Sequence, residues 1–574
     1  MSSSEVLDIN NIVEVLRTAP TDVESYGRVL DSLNPIVIQT AQDENYRNEL
    51  AGQVDLWNKL NESLEVSEVS DIIKVGDDDL IFWYLRTLRG VMLLIRNISV
   101  SNQETPQQLL IQNKILRIFL ELSQHKISNI DMETSLYTTA LTVLHNISKV
   151  SVVFDKTTID QLMSFLAYPI QHPDTKMEVI FPYLLFFENM LHSDDFLYYF
   201  FRHNLKDSIL YDFLMVNIMQ THSHLFDYFV INDKKPSTEG DDINENREMS
   251  NIDLIFVRCF RKIVTNESFS PYLLSLEETH YEKFTNFLRI GQVVATSIET
   301  WDKYELTGIM TWCFDVFSKT AVNINDYFEK DPDDITIAKK LHQNISSTLD
   351  IMSSFSRYEH VQKYILSYKG LEKLIDLLGI FQKHLIRINF VKDKTGIIEN
   401  FKTTDSLGNK ITDNTKINSR VDYQKFTIMA TNFPESKLLI IEILGNLCYK
   451  KKEIQDEIRL KHGLELVLSN CVIDDNDPFI KERSIVCIKF LLENNAENQK
   501  FVASLEAKRQ LTTTHYLKQG MKLTLTRMVR FNYFQRKLKM HESLFIDYQI
   551  HSIRLFTFLY FFIHLKFTHF INYL

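Results

Sequence analysis

Two segments of this chain align without a gap. GNLCYKKKEIQDEIRLKHGLELVL, Gly445 to Leu468, falls onto SSFSRYEHVQKYILSYKGLEKLIDLL, residues 353–378, when Gly463 is set on Gly370. That register pairs Gln455 with Gln362, Ile458 with Ile365 and Leu464 with Leu371. A second register sets Gln455 on Gln499, a step of 44 residues. Steps of roughly 40–47 residues in a helical chain are the range of armadillo and HEAT repeats. One such unit cannot bury its apolar face alone, so units must stack and share one continuous core. A shorter pattern accompanies the repeat: an apolar helix ending in φ-x-Asn-φ, as LLIRNIS around Asn97, VLHNIS around Asn146, LFFENML around Asn189 and EILGNLC around Asn446.

Composition agrees with stacked helices. Gly (14) and Pro (11) are scarce in 574 residues, which argues against turn-rich β architectures and for long uninterrupted helices. Hydrophobic residues at 45% and charged residues at 24% are globular values. The five cysteines (Cys259, Cys313, Cys448, Cys471, Cys487) are scattered without a CxxC, so neither a disulfide framework nor a zinc module is encoded. The start, MSSSEVLDINN, lacks the basic and apolar regions of a secretory signal, so an intracellular chain is expected. Charge is uneven: residues 507–574 carry eleven Lys/Arg and two Asp/Glu, while residues 1–506 carry 52 and 73, a net of −21. A body of that sign repels a phosphate backbone, so nucleic acid is not an expected partner.

The expected fold class is all-α, an armadillo-like helical-repeat superhelix. Residues 1–390 form an N-terminal helical body with a mobile loop near 232–252, residues 391–425 a long polar insertion rich in Thr, Asn, Asp and Gly, and residues 430–506 a C-terminal domain of two armadillo-like units. In CVIDDNDPFIKERSIVCIKFLLENN, Asp477 reads as the N-cap of the last helix and Pro478 as its first residue, with Ile480, Ser484, Cys487, Ile488 and Leu491 on its buried face. A calcium loop is the sharper reading of DDND, but the Gly and distant Glu of an EF-hand are absent.

The stretch 438–502 resembles the C-terminal domain of the ataxin-10 family, on the strength of NLCYKKKEIQD, IDDNDPFIKE and ENNAENQ taken together. Ser484 and Phe490 stand where the family usually has a small apolar residue and an Arg or Asn. The resemblance implies a non-enzymatic, cytoplasmic, armadillo-like protein linked to cytokinesis and, in animals, to neuronal survival. A fungal relative carries a copper-transport name. Copper(I) handling needs soft ligands close together, and here the cysteines are isolated in sequence and the fifteen Met form no Met-x-x-Met cluster. Any copper role would therefore be indirect.

Three readings compete for the tail at 507–574. One is a membrane anchor, although Leu555–Leu565 is shorter than a span needs. The second is a basic amphipathic surface for anionic lipid. The third is a shifted reading frame: the family implies an acidic end, and codons for Tyr-Glu-Val-Asp-Ile-Asp-Glu-Asp-Gly read one nucleotide out of register give Met521 to Val529 as they stand. No membrane role is expected of residues 1–506.

No HExxH, GxSxG, GxxxxGK[ST] or post-strand GxGxxG occurs, so no catalytic, cofactor or metal residues are assigned. The candidate partner-binding residues are Asn97, Asn146, Asn189, Asn446, Lys450, Asn494 and Gln499. Asn at such positions can hold the backbone of an extended peptide in a concave groove, or can bond the backbone at its own helix end. Both readings stay open. The four Trp (Trp57, Trp83, Trp301, Trp312) do not sit one turn from these Asn, which weakens an importin-like groove. The expected function is a scaffold for protein partners, with self-association among the options and a peptide adaptor in transport as the alternative.

Overall fold

The computed structural model describes residues 3–65, 72, 77–100, 106–149, 156–207, 211, 212, 214, 215, 250–298, 300–330, 332–392 and 398–505. The chain divides into two compact units, 1–495 and 496–574. The first is an all-α helical-repeat fold with two small sheets. Its helices are α1 (Ser3–Thr18), α2 (Val23–Gln42), α3 (Glu44–Ala51), α4 (Val54–Ser63), α5 (Asp78–Ile98), α6 (Pro106–Ser123), α7 (Ile130–Ser148), α8 (Lys156–Gln171), α9 (Met177–Met190), α10 (Asp194–Asp207) and α11 (Asn251–Thr265). They continue as α12 (Phe269–Thr279), α13 (Tyr281–Ser297), α14 (Lys303–Lys330), α15 (Ile335–Phe355), α16 (Glu359–Ser367), α17 (Gly370–His384), α18 (Asn414–Asn418), α19 (Ser436–Cys448), α20 (Lys452–Leu460), α21 (Gly463–Ser469) and α22 (Ile480–Leu492).

Packing follows chain order in two layers. One layer runs α2, α5, α7, α9, α11, passes through α13 and α14 to α15, and ends with α19 and α22; the other runs α1, α4, α6, α8, α10, α12, α14, α17, α21. The core between them is rich in fully buried rings, among them Trp57, Tyr84, Phe119, Phe165, Tyr183, Phe187 and Trp312. Close approach needs small residues at a few points: a Cβ on Gly291 would stand 2.7 Å from the Trp312 ring, whose indole N–H donates to the Val264 carbonyl at 2.9 Å.

The repeat register holds atom by atom. Lys369 and His462, one residue before the paired glycines, both adopt the left-handed conformation, with φ of 57° and 62°. A Cβ on Gly370 would meet Ile365 Cγ2 at 2.5 Å, and one on Gly463 would meet Ile458 Cγ2 at 2.8 Å. The paired glutamines make the same bonds. Gln362 Nε2 donates to the Ser356 carbonyl ending α15 (2.7 Å) and to the Asn446 carbonyl of α19 (3.2 Å). Gln455 Nε2 donates to the Cys448 carbonyl ending α19 (3.4 Å) and to the Phe490 carbonyl of α22 (2.8 Å). Each glutamine thus ties the end of its own repeat to the helix of the next, satisfying carbonyls that a helix terminus leaves open.

The polar insertion carries regular structure. Strand β1 (Arg387–Lys392) pairs antiparallel with β2 (Ile398–Thr404), and β3 (Val421–Asp422) with β4 (Thr427–Ile428). Ile386, Ile388 and Val421 form a small core, against which Phe390, Phe401, Ile411 and Ile428 pack. Sparse but spaced apolar residues in a Thr- and Asn-rich stretch suffice for paired strands once Ile386 and β1 are also tied to Asn432, Asp474 and Asp475. Of the loop expected at 232–252, residues 232–249 lie outside the described residues. Its end departs from the loop reading: Ser250 caps α11 with a reciprocal capping box to Asp253, and Asn251 and Ile252 are already helical.

Candidate functional site

The Asn positions spend their amide nitrogens on the preceding helix of the layer. Asn97 Nδ2 on α5 donates to the Val37 carbonyl (3.0 Å) and Thr40 Oγ1 (3.1 Å) on α2. Asn146 Nδ2 on α7 donates to the Arg96 carbonyl of α5 at 3.1 Å. Asn189 Nδ2 on α9 donates to the His145 carbonyl (2.9 Å) and Ser148 Oγ (2.8 Å) of α7. Asn446 Nδ2 on α19 donates to Ser356 Oγ, just past α15, at 2.8 Å. The bonds run between helices, a geometry that neither the groove reading nor the own-helix-end reading had described.

His145 belongs to the same ladder. Asn189 Nδ2 lies 3.0 Å from His145 Nδ1. Burial, with Lys149 and Arg258 nearby, pushes its pKa down to about 4. Lys450 and Asn494 take the left-handed conformation (φ 56° each) just beyond α19 and α22, and both are exposed. Gln499 lies in helical backbone of the second unit.

The cap assigned to Asp477 and Pro478 needs correction. Helix α22 begins at Ile480, with Phe479 in the left-handed region (φ 66°) ahead of it, so Asp477 and Pro478 lie outside the helix. Asp477 does cap a helix, but one forty residues earlier: its Oδ1 accepts from the backbone N–H of Lys437 (2.9 Å) and Leu438 (3.1 Å) at the start of α19. The reason is the buried Lys437 ammonium, 2.9 Å from Asp474 Oδ2 and 3.2 Å from Asp477 Oδ2, which draws both carboxylates inward. Burial alone would push the Lys437 pKa down, but the two carboxylates more than offset this and hold it raised. Burial raises Asp477 despite the attraction of Lys437.

The rest of the motif grips the insertion. Asp474 Oδ1 accepts from Ile388 N (3.1 Å), Asp475 Oδ2 from Phe390 N (2.6 Å), and Asp475 N donates to the Ile388 carbonyl at 2.7 Å. Asn432 bridges the Ile386 carbonyl (2.9 Å) and Asn476 Oδ1 (2.7 Å). DDND is therefore a structural clamp joining α19, α22 and β1. The five residues expected on the inner face of α22 are its five buried ones, although the Ser484 hydroxyl is left without a partner.

Two cysteines distant in sequence meet in the core. Cys487 lies beside Cys448, and that hydrogen bond together with burial holds its thiol well above the usual range. Among the described residues, no group of three or more His, Cys, Asp or Glu is placed to hold a metal ion, and no helix is long and apolar enough to cross a membrane. The tail readings for 507–574 lie outside the described residues.

Sequence reasoning missed the ammonium of Lys437 and a stripe of arginines on α5. The first carried no signal, because a lysine opening an apolar helix usually faces water. The second was visible as Arg86, Arg89 and Arg96 at helical spacing.

Comparison with known proteins supplies the remaining context. A family model described as "Spinocerebellar ataxia type 10 protein domain" matches residues 436–532. A Candida glabrata protein named ataxin-10 homolog is 43% identical over 505 residues, covering 87% of this chain and 93% of its own length. Proteins of the same name from Saccharomyces cerevisiae and Kluyveromyces lactis are 39% and 31% identical. They cover 90% and 93% of this chain, and 93% and 98% of their own lengths.

Proposed function

This chain belongs to the ataxin-10 family, and from that membership we propose that it is a non-enzymatic, cytoplasmic scaffold that binds protein partners and acts in the regulation of cytokinesis. One observation carries the reading: the polar side chains that recur along the repeats are consumed in holding one helix to the next. Asn97, Asn146, Asn189, Asn446, Gln362 and Gln455 fix the spacing of the stack. Such a molecule presents outward faces at set distances, and affinity then comes from a few anchors on those faces. The shifted groups Lys437, Asp477, Cys313 and Cys487 fit the same picture, since all four are buried in the core.

The test is purification of the full chain from native cells with quantitative mass spectrometry, followed by analytical ultracentrifugation. A saturable complex of fixed stoichiometry, with another protein or with a second copy, is the expected result. A chain that stays monomeric and alone refutes the scaffold. Cells lacking the protein are expected to accumulate multinucleate forms, and normal division would remove the cytokinesis assignment.

A further inference from the structure

Helix α5 is buried on every side but one. Its uncovered stripe runs Phe82, Arg86, Arg89, Leu93, Arg96, with Trp83 half-buried beside it. Residues at i, i+3, i+7 and i+10 share one face of a helix, so the three guanidinium groups line up over about 15 Å of axis.

Among the described residues no carboxylate forms an ion pair with any of the three, and Asp131 of the next helix pairs with Lys176 instead, at 3.8 Å. Arg86 lies over the Trp83 ring at 5.2 Å. Arg89 Nε donates to Thr139 Oγ1 at 3.3 Å, and Arg96 Nε and Nη2 donate to Asn97 Oδ1 at 3.2 and 3.0 Å. Burial and the neighbouring Arg86 push the Arg89 pKa down, and burial and Arg89 do the same to Arg96. The uncovered face of α7 alongside offers Thr138, Thr142 and His145, with Lys149 just past its end; its one carboxylate, the exposed Asp131, lies at the start of the helix. Elsewhere in the same layer the pattern is different: Arg258 on α11 is held by Glu188 (3.0 Å), and Arg261 by Glu305 (2.6 Å).

Arg89 and Arg96 are half-buried beside the exposed Arg86, and like charges so placed are costly unless something anionic joins them. The chain as a whole is acidic, with a net of −21 over residues 1–506. We propose that the α5 stripe is a docking site for an acidic peptide segment of a protein partner, five or six residues long and bearing two or three Asp or Glu. The inference deepens the scaffold reading and rests on it. An extended segment of five residues spans about 17 Å, which matches the stripe, and planar guanidinium groups suit carboxylates. Trp and Arg are also the side chains that most often anchor protein interfaces. The acidic body disfavours a nucleic acid, whose long phosphate backbone would run beyond the stripe.

The experiment is fluorescence anisotropy of the full-length chain with a fluorescein-labelled hexa-glutamate peptide, against a hexa-serine peptide and a single-stranded RNA hexamer. The expected result is glutamate binding that weakens with salt, falls at least tenfold in R86Q/R89Q, and is largely kept in R86K/R89K. Circular dichroism confirms that each variant is folded, and R86Q alone, at an exposed position, serves if the double variant does not fold. Equal binding by wild type and the Gln variants, or preference for the RNA, overturns the proposal. Capture of native partners separates the two readings: partners kept by R86Q/R89Q leave the scaffold standing and sink the docking site, whereas a wild-type chain with no partner sinks the scaffold itself.

Discussion

Replacing Lys437 by Met isolates what the buried clamp contributes. Lys437 is the cation of a site holding two carboxylates, Asp474 at 2.9 Å and Asp477 at 3.2 Å, and all three side chains are almost completely buried. Met has similar length and helix propensity, so the change removes charge and leaves packing near its original volume. What remains is a pair of buried carboxylates with no counter-ion. Asp477 keeps its bonds from Lys437 N, Leu438 N and Asn476 Nδ2, and Asp474 keeps Ile388 N and Asn476 N. Those bonds soften the loss without neutralising it. Removing one partner of a buried ion pair costs about 3–5 kcal/mol, and about 4 kcal/mol is expected at pH 7. The sign of the pH dependence follows from the carboxylates. Burial already holds the Asp477 carboxyl above its ordinary value of 3.8, and loss of the ammonium that opposes burial raises it further. The folded variant therefore takes up a proton as pH falls through the raised value, and the deficit shrinks toward pH 4. In the wild type the contribution of Lys437 is complete below about 10.5 and is lost as pH rises through its raised value. The assay is urea unfolding of wild type and K437M at each pH, with hydrogen exchange at the first turn of α19 as the local readout. A loss below about 1 kcal/mol at pH 7, or one that does not shrink on acidification, would refute the reasoning.

Three further outcomes follow from named contacts. Gly463→Ala places a Cβ 2.8 Å from Ile458 Cγ2 and 3.1 Å from its carbonyl oxygen, so a loss of about 1–3 kcal/mol is expected in urea unfolding; Gly445→Ala, with nothing nearer than 3.7 Å in a helix interior, should be neutral or gain up to about 1 kcal/mol. Asn189→Ala leaves the His145 carbonyl and the Ser148 hydroxyl without their shared donor and should cost about 1–3 kcal/mol, read by denaturant midpoint, with exchange rising at the C-terminal end of α7. His145, held down to about 4, stays neutral in the fold while the unfolded chain protonates near 6.5. Stability should therefore decline as pH falls from about 6.5 to 4, by at most about 3 kcal/mol, and His145→Gln should flatten that part of the profile.

Local chemistry made much of the architecture readable. Gln362 and Gln455, Ile365 and Ile458, and Gly370 and Gly463 fall in register because each repeat must solve the same problem, turning a short helix back over its neighbour, and the same side chains solve it each time. The inner face of α22 was equally visible, since a period of 3.6 residues records burial directly. The strand pair Arg387–Lys392 with Ile398–Thr404 escaped notice because its apolar residues are few, and only their assembly with Val421, Ile411 and Ile428 makes Ile388 and Phe390 part of a core.

The limits of the one-dimensional signal show at DDNDP and at the Asn positions. An Asp before a Pro at a helix start has the pattern of a local cap, and that pattern cannot report a buried ammonium forty residues upstream. Asp477 turned from its own helix to α19 because the ion pair with Lys437 and two backbone donors are available there together. The recurrence of Asn at helix ends was plain in the string of residues, yet which carbonyl each amide faces depends on how the helices stack. Periodicity and composition are properties of neighbouring residues and settle which helices form and which faces they bury. The pairing of charges and amides across forty to ninety residues is a property of the assembled stack, and it exists only once the apolar faces have closed.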